Sequence, residues 1–387
     1  MTHVRLTAWR HAEFGAGVHQ GTGPDDSTLA LREPVGTMRF GPERRELEWA
    51  AWLPPQTTPG FAFTSLTPSW NAATPGDSTL LVEARVSPDG VRWSRWLGLG
   101  VWAESDAVFR STSVPGQHDP FAVVDTDQLV VPAGSGGSWT AYQLRVVLAR
   151  VRGSTAAPSV RLLTAVAAGP PSPAQSAPGP ASGIELAVPT YSQHVHRGDY
   201  PQWNSGDRAW CSPTSTAMVA DFWARGPSGD DLAWVGDVPQ PAVVHAARHV
   251  HDAAYGAGNW PFNTAYAASL GLTGFVTRLR SLAEAELFIA AGIPLVASVA
   301  FTEAELEGAG YSTSGHLLVI VGFDEQGNVV CNDPASHTAP DNEKVRVVYD
   351  RAQFERVWAA ASGGLVYVVH PEAVQLPAVS DPAEPNW

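Results

Sequence analysis

The stretch Gly315-His-Leu-Leu-Val-Ile-Val-Gly-Phe-Asp-Glu-Gln-Gly-Asn-Val-Val-Cys-Asn-Asp-Pro334 decides the fold of the C-terminal half of the chain. An apolar run of strand length follows His316, the segment Glu325–Asn328 has the composition of a turn, and a second apolar run ends before Asp333. If the two runs pair around that turn, Asp333 lies opposite positions 318–320. The pattern therefore predicts that Asp333 is about one diagonal step from His316, within reach of its ring.

The segments on both sides of this hairpin extend the pattern. Helical spacing over Ser212–Ala224 and Ala283–Ala291 predicts two helices, the second ended by Gly292 and Pro294. Three further segments read as strands: Leu295–Phe301, Glu343–Tyr349 and Gly364–His370. Helices first and an antiparallel sheet after them predict an α+β domain.

One break in composition divides the chain. Residues 169–183 carry five prolines and no charged side chain, so they are predicted to form a semi-extended linker. The sequence thus predicts an N-terminal domain over residues 1–168, a C-terminal domain over residues 184–372 and a tail over residues 373–387.

The N-terminal part has the features of an all-β, sandwich-like domain. Leu80–Val86 and Val91–Leu97 are predicted to pair around the turn Ser87–Gly90, and Gln143–Val151 and Ser159–Val166 read as two more strands. Eight tryptophans lie here: Trp9, Trp49, Trp52, Trp70, Trp93, Trp96, Trp102 and Trp139. They either pack in the core or form an aromatic platform for a cell-envelope polymer or a protein partner.

Composition excludes several classes of protein. The 387 residues include 24 Lys and Arg against 38 Asp and Glu, which gives a formal net charge of -14 and argues against a nucleic-acid-binding protein. Apolar runs are too short for a transmembrane helix. We expect no cofactor and no metal. No export signal is visible at the N-terminus, so the compartment is open between the cytoplasm and, for a trimmed chain, the cell envelope.

Cys211 is the residue with the strongest chemical signature. Pro213 follows it at a position that suits the first turn of a helix, so Cys211 is predicted to lie at a helix N-terminus. The positive end of a helix dipole stabilises a thiolate and lowers the pKa of the thiol. With His316 as base and Asp333 to orient the histidine, these residues predict nucleophilic catalysis by cysteine.

These motifs resemble those of a known family. Trp-Cys-Ser-Pro-Thr-Ser before an apolar helix, Gly-His-Leu-Leu-Val-Ile-Val-Gly-Phe and Asn-Asp-Pro are similar to motifs of the papain-like cysteine peptidases of the bacteriocin-processing type, family thirty-nine, and the chain resembles their stand-alone two-domain actinobacterial relatives. The resemblance implies a papain-like fold, a peptide or protein substrate, Cys211 as nucleophile, His316 as general base and acid, and Asp333 as orienter. It also implies that Gln193, in Val188-Pro-Thr-Tyr-Ser-Gln193, lines the oxyanion hole.

Several alternatives stay open from the residues alone. Cys331 is a buried strand cysteine, a neighbour of the active site, or a disulfide partner of Cys211. His245 and His249 stand four residues apart on a predicted helix face and are the best metal candidates, although a third ligand is not evident. The chain as a whole is a cysteine peptidase, an amidase acting on cell-wall peptides, or a non-catalytic binding protein.

Overall fold

The computed structural model describes residues 2–41, 43–172, 175–204 and 209–387. The chain forms two compact units. One consists of Leu6–Gly169 with His251–Tyr255, and the other of Met1–Arg5, Pro170–Val250 and Gly256–Trp387. Of the described helices, none is long and apolar enough to span a membrane.

The N-terminal unit is built from β-strands, as predicted. The strands are β1 Val4–Trp9, β2 Val18–Gln20, β3 Thr22–Asp25, β4 Thr28–Leu31, β5 Gly36–Phe40, β6 Arg45–Leu53, β7 Ser65–Ala73, β8 Ser78–Ser87, β9 Leu97–Trp102, β10 Val123–Asp125, β11 Gln128–Val130, β12 Ala141–Val151 and β13 Ser159–Ala168. They form one sheet of order β10-β11-β7-β13-β4-β3, in which β1 also pairs with β13, and a second of order β2-β6-β12-β8-β9, in which β5 also pairs with β6. Neighbours along both orders are antiparallel.

The predicted strand Val91–Leu97 is wrong, because β9 begins only at Leu97. The Asp89 carboxylate accepts hydrogen bonds from the backbone N–H groups of Val91 and Arg92, at 3.0 and 2.8 Å. This local turn chemistry competes with the ladder and holds the chain out of the sheet. The connection from β8 to β9 is therefore a loop, and the tight hairpin is absent.

The C-terminal unit is α+β, which confirms the predicted class. Its helices are α1 Cys211–Phe222, α2 Pro241–Val250, α3 Trp260–Ser269, α4 Leu282–Ala290 and α5 Arg351–Ser362. Its strands are β14 Thr273–Arg278, β15 Leu295–Phe301, β16 Thr313–Phe323, β17 Val329–Asn332, β18 Arg346–Tyr349 and β19 Leu365–His370, in the sheet order β14-β19-β15-β16-β17-β18. All neighbours in this order are antiparallel.

A hydrophobic core joins α1 to this sheet. Met218 and Val219 of α1 are fully buried in one cluster with Val319 of β16 and Tyr367 of β19. Helix α1 is buried from Cys211 to Ala220, and the hydroxyls of its buried Ser212, Ser215 and Thr216 are hydrogen-bonded. The sheet and α1 are thus held rigidly against each other, with the first residue of α1 near the start of β16.

The hairpin of β16 and β17 has the predicted register. Val319 pairs with Asn332 and Ile320 with Cys331, after which the register shifts by one residue toward Gly322. Gly322 is required there, because a Cβ atom would meet the backbone oxygen of Ile184 at 2.3 Å. The strand predicted over Glu343–Tyr349 starts later than expected, since Asn342–Lys344 forms a 3-10 turn capped by the Asp341 side chain.

The proline-rich segment and the C-terminal tail both pack on the C-terminal unit. Pro173 and Ala174, within the predicted linker, lie outside the described residues. The Ser176 hydroxyl donates a hydrogen bond to Glu355 of α5 at 2.8 Å, and Ala181 is fully buried. In the tail, the Asn386 side chain is fully buried and donates to the backbone oxygen of Arg278 at 2.9 Å.

Candidate active site

Cys211 is the first residue of α1, as its sequence context predicts. Trp210 is the N-cap, and its backbone oxygen accepts a hydrogen bond from the N–H of Thr214 at 2.9 Å. Pro213 falls in the first turn, where backbone N–H groups have no acceptor within the helix, so the missing N–H of proline costs nothing. The thiol therefore stands at the positive end of a twelve-residue helix, with 8% of the residue exposed.

His316 lies on β16 and links two other groups. Its Nε2 atom is 2.8 Å from Oδ1 of Asp333, and the side chains of His316 and Asp333 are only 4% and 0% exposed. The Cys211 thiol is close enough to this ring for each of the two groups to shift the pKa of the other. Because Nε2 faces the carboxylate, Nδ1 is the ring nitrogen that remains for the thiol.

The Asp333 carboxylate is enclosed by hydrogen-bond donors. The Tyr311 hydroxyl lies 2.8 Å from Oδ2 and 3.1 Å from Oδ1, and the Tyr349 hydroxyl lies 2.7 Å from Oδ2. The backbone N–H of Ala335 donates to Oδ1 at 2.9 Å. With His316, these donors satisfy a buried charge that would otherwise be costly to keep.

The charges of the three groups support one another. Burial opposes ionisation of the Cys211 thiol, but the charge and hydrogen bond of His316 and the backbone N–H groups of Leu317 and Ser212 leave its pKa below the ordinary value. Burial lowers the pKa of His316, whereas Asp333 and Cys211 raise it, to about 10. Burial raises the pKa of Asp333, but His316, Tyr349 and Ala335 bring it below its usual range. These directions favour a thiolate paired with an imidazolium.

Gln193 lies beside this group in a 3-10 turn, Gln193–His196, and is 3% exposed. Its backbone N–H donates to the oxygen of Pro334 at 2.9 Å, so it is attached to the residue that follows Asp333. Gln193 and His316 both line a cavity of about 680 Å³. The other lining residues are His194, Arg197, Tyr311, Ser312, Thr313, Ser314, Gly315, Ala335 and Thr338.

Ser212 follows the candidate nucleophile and points away from solvent. It is fully buried, and its hydroxyl lies 2.9 Å from the hydroxyl of Tyr367 on β19. Its Cβ atom therefore occupies the contact between α1 and the sheet.

Cys331 lies on β17, two residues before Asp333. Both cysteines are free thiols, so the disulfide alternative is wrong. Cys331 is fully buried on β17, and burial together with Asp333 holds the pKa of its thiol well above the ordinary value. The alternative of an apolar strand cysteine agrees with this position.

His245 and His249 stack on each other, with ring centroids 4.0 Å apart. Nδ1 of His245 lies 2.9 Å from the Tyr266 hydroxyl, and Nδ1 of His249 lies 2.8 Å from the backbone oxygen of His245. Within the described ranges, no group of three or more His, Cys, Asp or Glu side chains is arranged to hold a metal ion.

Most N-terminal tryptophans belong to the core. Five are buried: Trp9, Trp52, Trp70, Trp102 and Trp139. Trp93 and Trp96 are half-buried, and the Arg85 guanidinium lies over both rings, 4.8 and 4.7 Å from their centroids. Arg145 lies 4.8 Å from the Trp96 centroid as well. These cation–π contacts explain the half-buried positions of Trp93 and Trp96 as packing within the domain.

Sequence reasoning missed Tyr311 and Tyr349. Tyr349 ends the predicted strand Glu343–Tyr349, but the pairing of this strand with Val329–Asn332, which brings Tyr349 to Asp333, was not predicted. Tyr311 stands five residues before His316 in a loop, and its contact with Asp333 depends on the path of that loop. The spacing of apolar residues along the sequence does not indicate the path of this loop.

Both parts of the chain match known protein families. Residues 5–168 match the family described as Peptidase C39 N-terminal domain, and residues 185–366 match the Peptidase C39 like family. The resemblance predicted from the sequence is thereby confirmed. Residues 185–366 thus belong to the C39-like peptidase family, and residues 5–168 to the N-terminal domain of C39 peptidases.

No curated protein matches the chain. A protein from Bacillus anthracis described as a C39-like peptidase is 17% identical, with 48% of this chain and 96% of that chain covered and a TM-score of 0.26. Carbohydrate-binding modules of the β-sandwich superfamily are 10% identical (42% and 54% covered, TM-score 0.18). A family two carbohydrate esterase from Cellvibrio japonicus is 14% identical (57% and 50% covered, TM-score 0.17). TM-scores this low support no conclusion about the fold or function of this chain.

Proposed function

We propose that this protein is a cysteine peptidase that hydrolyses peptide bonds with Cys211 as nucleophile, His316 as general base and acid, and Asp333 as the residue that orients His316. The observation that carries the proposal is the buried Cys211 thiol at the N-terminus of α1, beside a His316 ring that Asp333 holds at 2.8 Å. A structural cysteine has no need of a helix N-terminus and an oriented histidine at once.

The chemistry follows from these positions. The Cys211 thiolate attacks the carbonyl carbon of the substrate, a C–S bond forms, and the π electrons of the carbonyl move to oxygen. The Gln193 amide and the backbone N–H of Cys211 stabilise that oxyanion. The oxyanion then collapses, the C–N bond breaks, and the His316 imidazolium protonates the leaving amine.

The second half of the reaction frees the enzyme. His316, now neutral, takes a proton from water as the water attacks the thioester carbonyl. The C–S bond breaks, a carboxylic acid leaves, and the thiolate–imidazolium pair is restored. Asp333 stays ionised throughout and holds the ring in one orientation.

The rate of Cys211 alkylation against pH tests the proposal. In a Cys331→Ala background, a thiolate paired with an imidazolium reacts with iodoacetamide well below pH 7. A Cys211 that stays inert until about pH 8.5 behaves as an ordinary thiol and excludes the peptidase mechanism. Cys211→Ala should then abolish cleavage of a mixed peptide library read by mass spectrometry, whereas Cys331→Ala should leave the cleavage profile unchanged.

We also propose that the two N-terminal sheets pack as a β-sandwich, that the C-terminal unit is papain-like, and that the domain boundary lies in residues 169–183. Two separate unfolding transitions in calorimetry of the full chain would support this division into two domains. Binding of a cell-envelope polymer by the N-terminal domain stays a prediction. Sedimentation of the protein with insoluble cell-wall material, compared for the wild type and Trp93→Ala, tests it.

A further inference from the structure

The Tyr311 phenol connects the cavity wall to the buried carboxylate. Its hydroxyl lies within hydrogen-bond distance of both oxygens of Asp333, at 2.8 and 3.1 Å. Its ring meets the His316 ring edge-on, with centroids 5.6 Å apart, and it forms part of the cavity lining. Tyr311 thus contacts both members of the His316–Asp333 pair.

The loop that carries Tyr311 has a fixed conformation. It lies between β15 and β16, and the Tyr311 ring packs edge-on against Phe301, the last residue of β15, at 5.2 Å. The backbone oxygen of Ala309 accepts a hydrogen bond from the N–H of His337 at 3.0 Å, which ties this loop to the segment after Asp333. A Cβ atom at Gly310 would meet the His337 ring at 2.8 Å, so the two segments are in close contact.

The two phenols that reach Asp333 differ in what they can do. Tyr349 contacts Oδ2 alone, whereas Tyr311 contacts both oxygens. A donor shared by both oxygens resists rotation of the carboxylate about its Cβ–Cγ bond, and that rotation would carry Oδ1 away from Nε2 of His316. A donor to one oxygen resists it less. Burial and Asp333 raise the pKa of Tyr311 well above its ordinary value, so the phenol stays a donor.

We propose that Tyr311 is a positioning residue, which holds the Asp333 carboxylate in the orientation that keeps His316 directed at Cys211. This inference rests on the proposed function, but the alkylation measurement that tests it does not depend on peptide cleavage. No bond is made or broken by Tyr311, and its proton stays on the phenol oxygen.

Tyr311→Phe in the full chain tests the proposal, because it removes one oxygen atom and keeps the ring. We expect kcat on a cleaved peptide to fall about 10- to 100-fold, the range that corresponds to loss of one hydrogen bond to a charged group, with KM within about twofold of the wild-type value. The midpoint of Cys211 alkylation should move to higher pH, because a less well oriented imidazolium stabilises the thiolate less.

Tyr266→Phe is the matched control, since Tyr266 is a buried phenol whose hydroxyl bonds to His245 and not to Asp333. It should leave kcat and the alkylation midpoint unchanged. Two results overturn the proposal: a Tyr311→Phe enzyme with an unchanged midpoint, and a change confined to KM, which would make Tyr311 a substrate contact.

A second variant keeps the proposal testable if Tyr311→Phe does not fold. Tyr349→Phe leaves Tyr311 in place and should shift the alkylation midpoint only slightly; a large shift assigns the orienting role to Tyr349. The alkylation readout needs no turnover. If Cys211→Ala still cleaves peptides, the proposed function fails, while the effect of Tyr311 on the thiol of Cys211 is measured independently.

Discussion

His316 and Asp333 meet at 2.8 Å although they are not directly opposed on their strands. Asn332 pairs with Val319, so Asp333 continues the ladder opposite position 318, two residues from His316 on the same face of the sheet. The turn at residues 325–328 sets this register, and the register brings a distant carboxylate to the histidine. Changes to that turn should therefore affect the site.

Replacement of Asp333 by Asn should alter the pH profile as well as the rate. Burial lowers the pKa of His316, but Asp333 and Cys211 together raise it to about 10, so removal of the Asp333 charge should lower that pKa. The imidazolium then loses its proton at lower pH, and the alkaline limb of kcat/KM moves toward neutrality. We expect kcat to fall by about 10²-fold or more. An alkaline limb that stays at the wild-type pH would mean that Asp333 does not set the charge of His316.

Only one of the two cysteines should react in the folded protein. The pKa of Cys211 is lowered mainly by His316 against the effect of burial, whereas that of Cys331 is raised well above the ordinary value by burial. At pH 6, intact mass spectrometry after alkylation should give one adduct per chain, and peptide mapping should place it on Cys211. Addition of 6 M guanidinium chloride at pH 8.5 should expose the second thiol. An adduct on Cys331 in the native protein would contradict its burial.

Glu286 and Arg351 form a buried ion pair at 2.6 Å, with side chains 0% and 9% exposed. Arg351 also donates to backbone oxygens of Ala177 and Gly327, so it joins the proline-rich segment to α5. Glu286→Ala leaves a buried guanidinium without its counter-charge and should lower the free energy of unfolding by about 3–5 kcal/mol.

Glu185→Ala is the control for this prediction, because Glu185 pairs with Arg346 while its side chain is 53% exposed. It should cost less than about 1 kcal/mol. Urea unfolding of the full chain, followed by circular dichroism, measures both variants. Equal effects for the two glutamates would contradict the argument from burial.

Arg85 should stabilise the N-terminal unit through its contacts with Trp93 and Trp96. Its guanidinium lies over both rings and also donates to the Gln143 side chain at 2.7 Å. Arg85→Ala should destabilise this unit by about 1–2 kcal/mol and shift the tryptophan emission to longer wavelength. Arg95→Ala, at an exposed position of the same loop, should change neither. An unchanged emission spectrum in Arg85→Ala would contradict the packing role.

The sequence predicted those parts of the fold that depend on local pattern. The strand Leu295–Phe301 was predicted with its observed bounds, and the helices that start at Cys211 and Leu282 were predicted to within two residues. Apolar periodicity and a Gly or Pro at each end suffice for such elements. The relation of His316 to Asp333 was predictable for the same reason, since a short turn fixes the register of a hairpin.

Other parts depend on side chains that act across the chain. Helix α3, Trp260–Ser269, was not predicted; the Asn259 side chain caps it by accepting a hydrogen bond from the N–H of Phe262 at 3.2 Å. Val91–Leu97 was predicted as a strand because it follows the turn Ser87–Gly90 and its pattern alternates around Trp93 and Trp96. There, the carboxylate of Asp89 and the guanidinium of Arg85 determine the conformation.

The hydrogen-bond donors around Asp333 determine at what stage of synthesis and folding the candidate site can form. Tyr311, His316, Ala335 and Tyr349 come from a loop, two strands and the segment between them, so the carboxylate is satisfied only after β16, β17 and β18 have joined. Cys211 leaves the ribosome long before them. A nascent chain that stops short of Asp333 therefore has a thiol without its oriented histidine, and the peptidase we propose remains inactive until the chain has been made beyond Asp333.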